Sequence, residues 1–169
     1  MKRSLLIACI SFASFMFSTS AMAQATATST ASATIVAPIS ITKTINLNFG
    51  NVATNGTVGT VTLTAGGVRS STGGVTLPAA NGTVTAASFT IGGSGVYTYA
   101  ITLPSSAVTI TSGLNTMTVD TFTSTPTSTG ILSAGTQTLT VGATLNLGVS
   151  QAAGLYTATD IFAVTVNYN

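Results

Sequence analysis

The chain has 169 residues, 45% of them hydrophobic and only 4% charged, with a formal net charge of +2 and no His. Lys2 and Arg3 supply that excess, since beyond them Lys43 and Arg69 balance Asp120 and Asp160. So neutral a chain lacks a basic patch for nucleic acid or an anionic membrane, its wealth of Val, Ile, Leu and Thr argues against disorder, and with no Glu and a single Cys it offers little for acid–base, metal or nucleophilic chemistry.

The first element is the basic Lys2-Arg3, followed by an apolar run over 4–17 and then Ala21-Met22-Ala23 before Gln24. Basic start, short apolar core and small-x-small site make a secretory signal peptide over 1–23, cleaved after Ala23. The run is too short to stay in a bilayer, so the mature chain is expected to have no membrane span. Leu6-Ile7-Ala8-Cys9 spells a lipobox, but five residues ahead of it are too few for a signal core. Export is therefore expected, through the periplasm to the cell surface or beyond. Cys9 leaves with the signal, so no disulfide braces the fold. A mature chain without net charge favours association.

From Gln24 the small and apolar residues keep to odd positions: Ala25, Ala27, Ser29, Ala31, Ala33, Ile35, Ala37, Ile39, Ile41, Ile45, Leu47 and Phe49. Alternation marks a strand with one buried face. At ~3.3 Å per residue one strand would run roughly 80 Å, several times the usual length. Pro38 divides it into an extension over 24–38 and a domain over 39–169. The extension has three fates: folding back into its own sheet, disorder, or addition as a strand to a neighbouring subunit. Lys43 interrupts the odd face between Ile41 and Ile45, as an inward charge that blunts an edge or ends a strand.

Further strands are expected near 58–64, 74–77, 83–91, 96–103, 107–111, 116–122, 137–141, 143–149 and 156–168. Asn55-Gly56 and Asn81-Gly82 are the dipeptides of tight hairpin turns, and Gly66-Gly67, Gly73-Gly74 and 92–95 mark further breaks. The clearest alternations are Tyr97, Tyr99, Ile101 and Leu103, and then Phe162, Val164, Val166 and Tyr168 before Asn169. Short strands at such spacing predict an antiparallel β-sandwich or barrel. The chemistry inventory adds nothing: Asp120 and Asp160 are edge or turn carboxylates, Lys43 is no evident partner for a serine nucleophile, and 91–95 lacks the Lys and helix of a phosphate loop. No catalytic residue, cofactor or metal site is expected.

The stretches "ASATIVAPISITKTINLNFGNV", "ASFTIGGSGVYTYAITLP", "TMTVDTFTS", "LTVGATLNLG" and "AAGLYTATDIFAVTVNYN" resemble the secreted bacterial family catalogued as domain of unknown function 4402, over nearly all of 31–169. A weaker resemblance runs to the pilins of chaperone–usher systems, which are incomplete immunoglobulin-like sandwiches. Their alternating N-terminal extension fills the next subunit's groove, and their last strand carries a penultimate Tyr. That resemblance implies a donor strand of Ala25, Ala27, Ala31, Ala33, Ile35, Ala37 and Ile39, and a terminal assembly strand of Phe162, Val164, Val166 and Tyr168. It implies self-association or other surface subunits as partners, with a periplasmic chaperone and usher. The expected function is a non-enzymatic structural subunit of a surface fibre; the alternative is a self-contained secreted binding or adhesion module.

Overall fold

The structure is a computed structural model describing residues 23–158 and 162–169. The signal peptide, apart from Ala23, and Asp160 lie outside the described residues. The chain divides into two units, Met1–Thr34 and Ile35–Asn169. Within the described part of the first, 23–34, every residue is exposed and none belongs to a strand or helix.

The second unit is all-β. Its strands are β1 Ser40–Ile45, β2 Ala53–Leu63, β3 Arg69–Thr76, β4 Ala87–Gly92 and β5 Thr98–Thr102. They continue as β6 Val108–Ser112, β7 Asn115–Thr125, β8 Thr129–Ile131, β9 Thr136–Leu147 and β10 Thr165–Tyr168. All pairings are antiparallel, in a seven-stranded and a three-stranded sheet. The smaller sheet has the order β10-β5-β8.

The larger sheet is organised by β9. One edge of β9 carries β4 along 136–141 and then β2 along 143–147, while β7 lies along the other edge. The outer strands are β1 on β4, β3 on β2 and β6 on β7. The break expected between 137–141 and 143–149 is absent, because Gly142 does not end the strand. It is where β4 gives way to β2, and a Cβ there would lie 2.2 Å from the Leu63 carbonyl oxygen. The glycine admits the crossing backbone while the strand runs on.

Two more glycine signals change meaning. Asn55-Gly56 is not a hairpin turn but part of an excursion inside β2, where pairing with β3 jumps between Thr54 and Gly59. Asn55 Oδ1 accepts hydrogen bonds from the Thr57 amide (3.1 Å) and hydroxyl (2.8 Å). Gly73-Gly74 is not a break either. It lies in β3 beneath that excursion, where a Cβ on Gly74 would meet Thr57 Oγ1 at 2.0 Å. The β2–β3 turn falls at Gly66-Gly67, as expected, with the Thr64 amide donating to Val68 O at 2.9 Å. Strand β8 has no clear alternation and was not expected, and the last strand is shorter, covering only Thr165–Tyr168.

Burial separates the larger sheet's two faces. Outward, residues in register form hydroxyl-rich rows, such as Thr72, Thr60, Asn146, Thr118 and Thr109 across five strands. Inward, the core forms two clusters. One joins Ala87, Phe89, Ile91, Leu139 and Val141 of the larger sheet to Tyr99, Ile101 and Val166 of the smaller, with Leu132 beside them. The other gathers Val61, Leu63, Val75, Ile110, Val119, Leu145 and Leu147 with Phe49, and contains no residue of the three-stranded sheet.

Candidate assembly groove

That second cluster is half of a sandwich without its opposite sheet. Two non-strand segments, 46–52 and 151–158, lie over it in place of strands. Between them is an apolar-floored groove of about 940 Å³. Its floor includes Ile110, Val119, Leu145 and Leu147, with Ala87, Phe89 and Phe162 continuing toward the first cluster. The groove opens to solvent, and the core residues along its floor are nevertheless buried.

Each lip of the groove is tied to its own side. On the first, Asn48 exchanges backbone hydrogen bonds with Thr85 (2.8 and 3.0 Å), and the Asn51 amide donates to Asn81 O at 2.8 Å. Arg69 donates from one guanidinium nitrogen to the carbonyls of Phe49 and, at 2.9 Å, Asn51. Gly50 between them has φ +69°, and a Cβ there would meet Asn81 O at 2.3 Å, so the lip needs glycine. On the second lip, Thr157 exchanges backbone bonds with Thr111 (2.9 and 3.0 Å). Gln151 Nε2 donates to Thr116 O at 3.2 Å and to the Tyr156 hydroxyl at 2.7 Å, and that hydroxyl donates to Ala152 O at 2.8 Å.

Among the described residues no hydrogen bond joins 46–54 to 151–158. In extended backbone the groups of alternate residues point to opposite sides. Asn48 and Thr157 are satisfied outward, which leaves the Leu47 and Tyr156 main chains turned to the groove, with no hydrogen-bond partner for their amides among the described residues. Backbone groups of this kind must be paired or wet.

The candidate residues fall in four places. Ala25, Ala27, Ala31 and Ala33 are exposed, and Ile35 is 96% exposed. Ala37 is already bonded, its amide donating to Ser94 Oγ at 2.7 Å and its carbonyl accepting from the Tyr168 hydroxyl at 3.0 Å. Ile39 packs against the closed cluster with Val164, Val166 and Tyr168. Phe162 stacks obliquely on Phe122 (centroids 4.9 Å apart) and meets Phe89 edge-on at 6.5 Å, at the groove's inner end.

The odd-numbered face does not run unbroken through β1. Its register shifts between Lys43 and Ile45, which puts Ile45 opposite outward Ser88 and leaves it 47% exposed. Lys43 pairs with inward Phe89, yet is exposed because that side opens on the groove. Asp120 is on the outer row of β7 opposite Thr144, and accepts from the Thr121 hydroxyl at 3.0 Å. Sequence reasoning missed Arg69 and Gln151, two of the side chains that hold the lips. Each is a lone polar residue in no motif.

These features define a class: an antiparallel β-sandwich in which the buried cluster beyond the three-stranded sheet is flanked by a groove of about 940 Å³. The chain belongs to the family described as a domain of unknown function (DUF4402), whose model matches residues 39–168. No curated protein and no solved structure matches the chain. The matched region starts at Ile39, so the exposed alternating segment precedes it.

Proposed function

We propose that the protein is a non-enzymatic, exported structural subunit that assembles by strand donation, the segment Ala25 to Ile35 of one copy lying in the groove of the next. The observation that carries this reading is the groove itself: an opening of about 940 Å³ between two unjoined lips, in a chain that also carries a spare alternating segment. Main-chain hydrogen bonds to both lips would give affinity, and alternate side chains on the floor would give register. Small Ala side chains suit a floor already filled by Phe49, Leu145 and Leu147. Ile35 is the anchor, because full burial of a side chain of its size contributes roughly 1.5–3 kcal/mol. An exported chain with an unfilled groove needs that groove occupied before it meets its neighbour, which is a role for a periplasmic chaperone and usher. Assembly would then place it at the cell surface.

The test is to shear the cell surface and run the fraction on an SDS gel, boiled and unboiled, probed for this protein. A ladder that collapses to one band only on boiling is expected. One monomer band in both lanes would remove the reading. A second reading, a self-contained secreted binding or adhesion module, is favoured by the hydroxyl-rich outer face of the larger sheet, which suits an uncharged polar partner. It gains ground if the ladder is absent.

A further inference from the structure

The penultimate residue makes contacts that strand donation alone does not need. The Tyr168 hydroxyl accepts from the Ser94 amide at 2.8 Å and donates to Ala37 O at 3.0 Å, while the Ala37 amide donates to Ser94 Oγ at 2.7 Å. The position is built for that hydroxyl. A Cβ on neighbouring Gly93 would lie 2.2 Å from it, so only glycine leaves it room. The Tyr168 ring rests against Tyr97 with centroids 5.7 Å apart, and β10 holds it in register opposite Tyr99 on β5. Both main-chain groups of Ala37 are thus occupied by residues 57 and 131 positions away.

We propose that Tyr168 and Ser94 are positioning residues that latch the root of the N-terminal segment at Ala37, and so commit that segment to a second copy's groove and not to its own. The inference rests on the strand-donation reading and settles which copy fills the groove. Self-filling would require the chain to reverse at 36–37 and run back along the free edge of β1. A two-residue reversal places Ala27 opposite Asn46 and Ala25 opposite Asn48, so only these two of its alternating face reach the lip. The rest would lie against β1 itself. A hairpin there also needs the Ala37 backbone for its own turn, and the latch holds both of its groups. Pro38 offers no amide to replace them. A neighbour's segment has no such limit and can span the whole groove.

The test is hydrogen exchange on the dilute mature chain, residues 24–169, comparing the parent with Tyr168→Phe, which keeps the ring, and Ser94→Ala, which keeps Tyr168. Released from the latch, the segment reverses onto β1, and amides at 46–49 exchange about 10-fold more slowly than in the parent. That protection vanishes when Ala31→Asp and Ile35→Asp are added, which a merely structural role for Tyr168 would not produce. At high concentration the variants form about 10-fold less SDS-resistant ladder than the parent. Exchange at 46–49 unchanged in both variants overturns the latch, whatever the ladder does. A parent that forms no ladder, beside variants that gain protection, removes strand donation and leaves the latch standing.

Discussion

The two halves of the larger sheet share a strand, β9, and differ in what lies over it. Its first half, around Leu139 and Val141, faces β5, β8 and β10, and its cluster is shut. Its second half, around Leu145 and Leu147, faces two segments held by isolated β-bridges and side-chain hydrogen bonds rather than by a paired sheet. Both floors are equally apolar. What differs is where the chain places its remaining strands. The half that the three-stranded sheet does not reach is the half that carries the groove, and a segment of alternating small and polar residues precedes the domain in the sequence.

The comparison is tested most severely by making one substitution in both halves. Leu139→Ala empties a fully buried site between two sheets that cannot collapse into it, and should cost roughly 3–5 kcal/mol. Leu147→Ala opens onto the groove and encloses no new cavity, so about 2 kcal/mol is expected, the low end for such a change. Denaturant midpoints on the dilute chain check both. Equal losses would mean that the second half is as closed as the first.

A smaller effect sharpens the same contrast. Arg69→Ala removes the donors to Phe49 and Asn51 and should cost about 1–3 kcal/mol, since hydrogen bonds from a charged group exceed neutral ones. Its signature is local: amides of 46–54 exchange faster while those of β5 and β10 keep their protection. Arg69→Lys should recover only part, because a freely rotating ammonium lacks the fixed N–H directions of the guanidinium nitrogen that serves both carbonyls. Loosening of both halves together would show that the lip is not an independent piece.

The closed half was largely legible in the sequence, and the open half was not. Alternation found the inward face of β5, with Tyr99 and Ile101, and that of the last strand, with Val166 and Tyr168, because period two survives wherever one face is buried. The same alternation picked out the segment from Ala25, but its end depended on Ala37 being held by Ser94 and Tyr168, contacts that no local pattern carries. Asn55-Gly56 was misjudged since a tight turn and a bulged excursion ask for the same positive φ, and only the packing of Gly74 beneath decides between them. Gly142 looked like a strand end because its reason, the passage of Leu63 and Thr64, comes from far along the chain. The groove left no sequence mark, being a space between 46–54 and 151–158, and Arg69 and Gln151 betray nothing of their partners.

The smallest effect belongs to pH, and it too divides the halves. Tyr99 is fully buried in the closed cluster, its hydroxyl donating to Gln137 Oε1 at 2.7 Å, and desolvation raises its pKa above the ordinary value of 10.0. Gly130 lies opposite it on β8, where a Cβ would sit 2.3 Å from the ring, so the neighbouring strand closes over the tyrosine without a side chain between. A raised folded pKa gives stability that is fully present below the unfolded value of about 10 and is lost as pH rises through the folded one. With no His in the chain, no side chain has an ordinary pKa between about 5 and 8, so thermal midpoints should stay nearly level there and fall only above about pH 10. Tyr99→Phe should flatten that alkaline fall at a cost of about 1 kcal/mol at neutral pH, because Gln137 Oε1 keeps the Ile131 amide as a donor at 3.0 Å. Filling the groove with an Ala25–Ile35 peptide should raise the midpoint at every pH without changing the shape of the fall, since the peptide covers the other half. A peptide that moved the alkaline limb would show that the two clusters respond as one core.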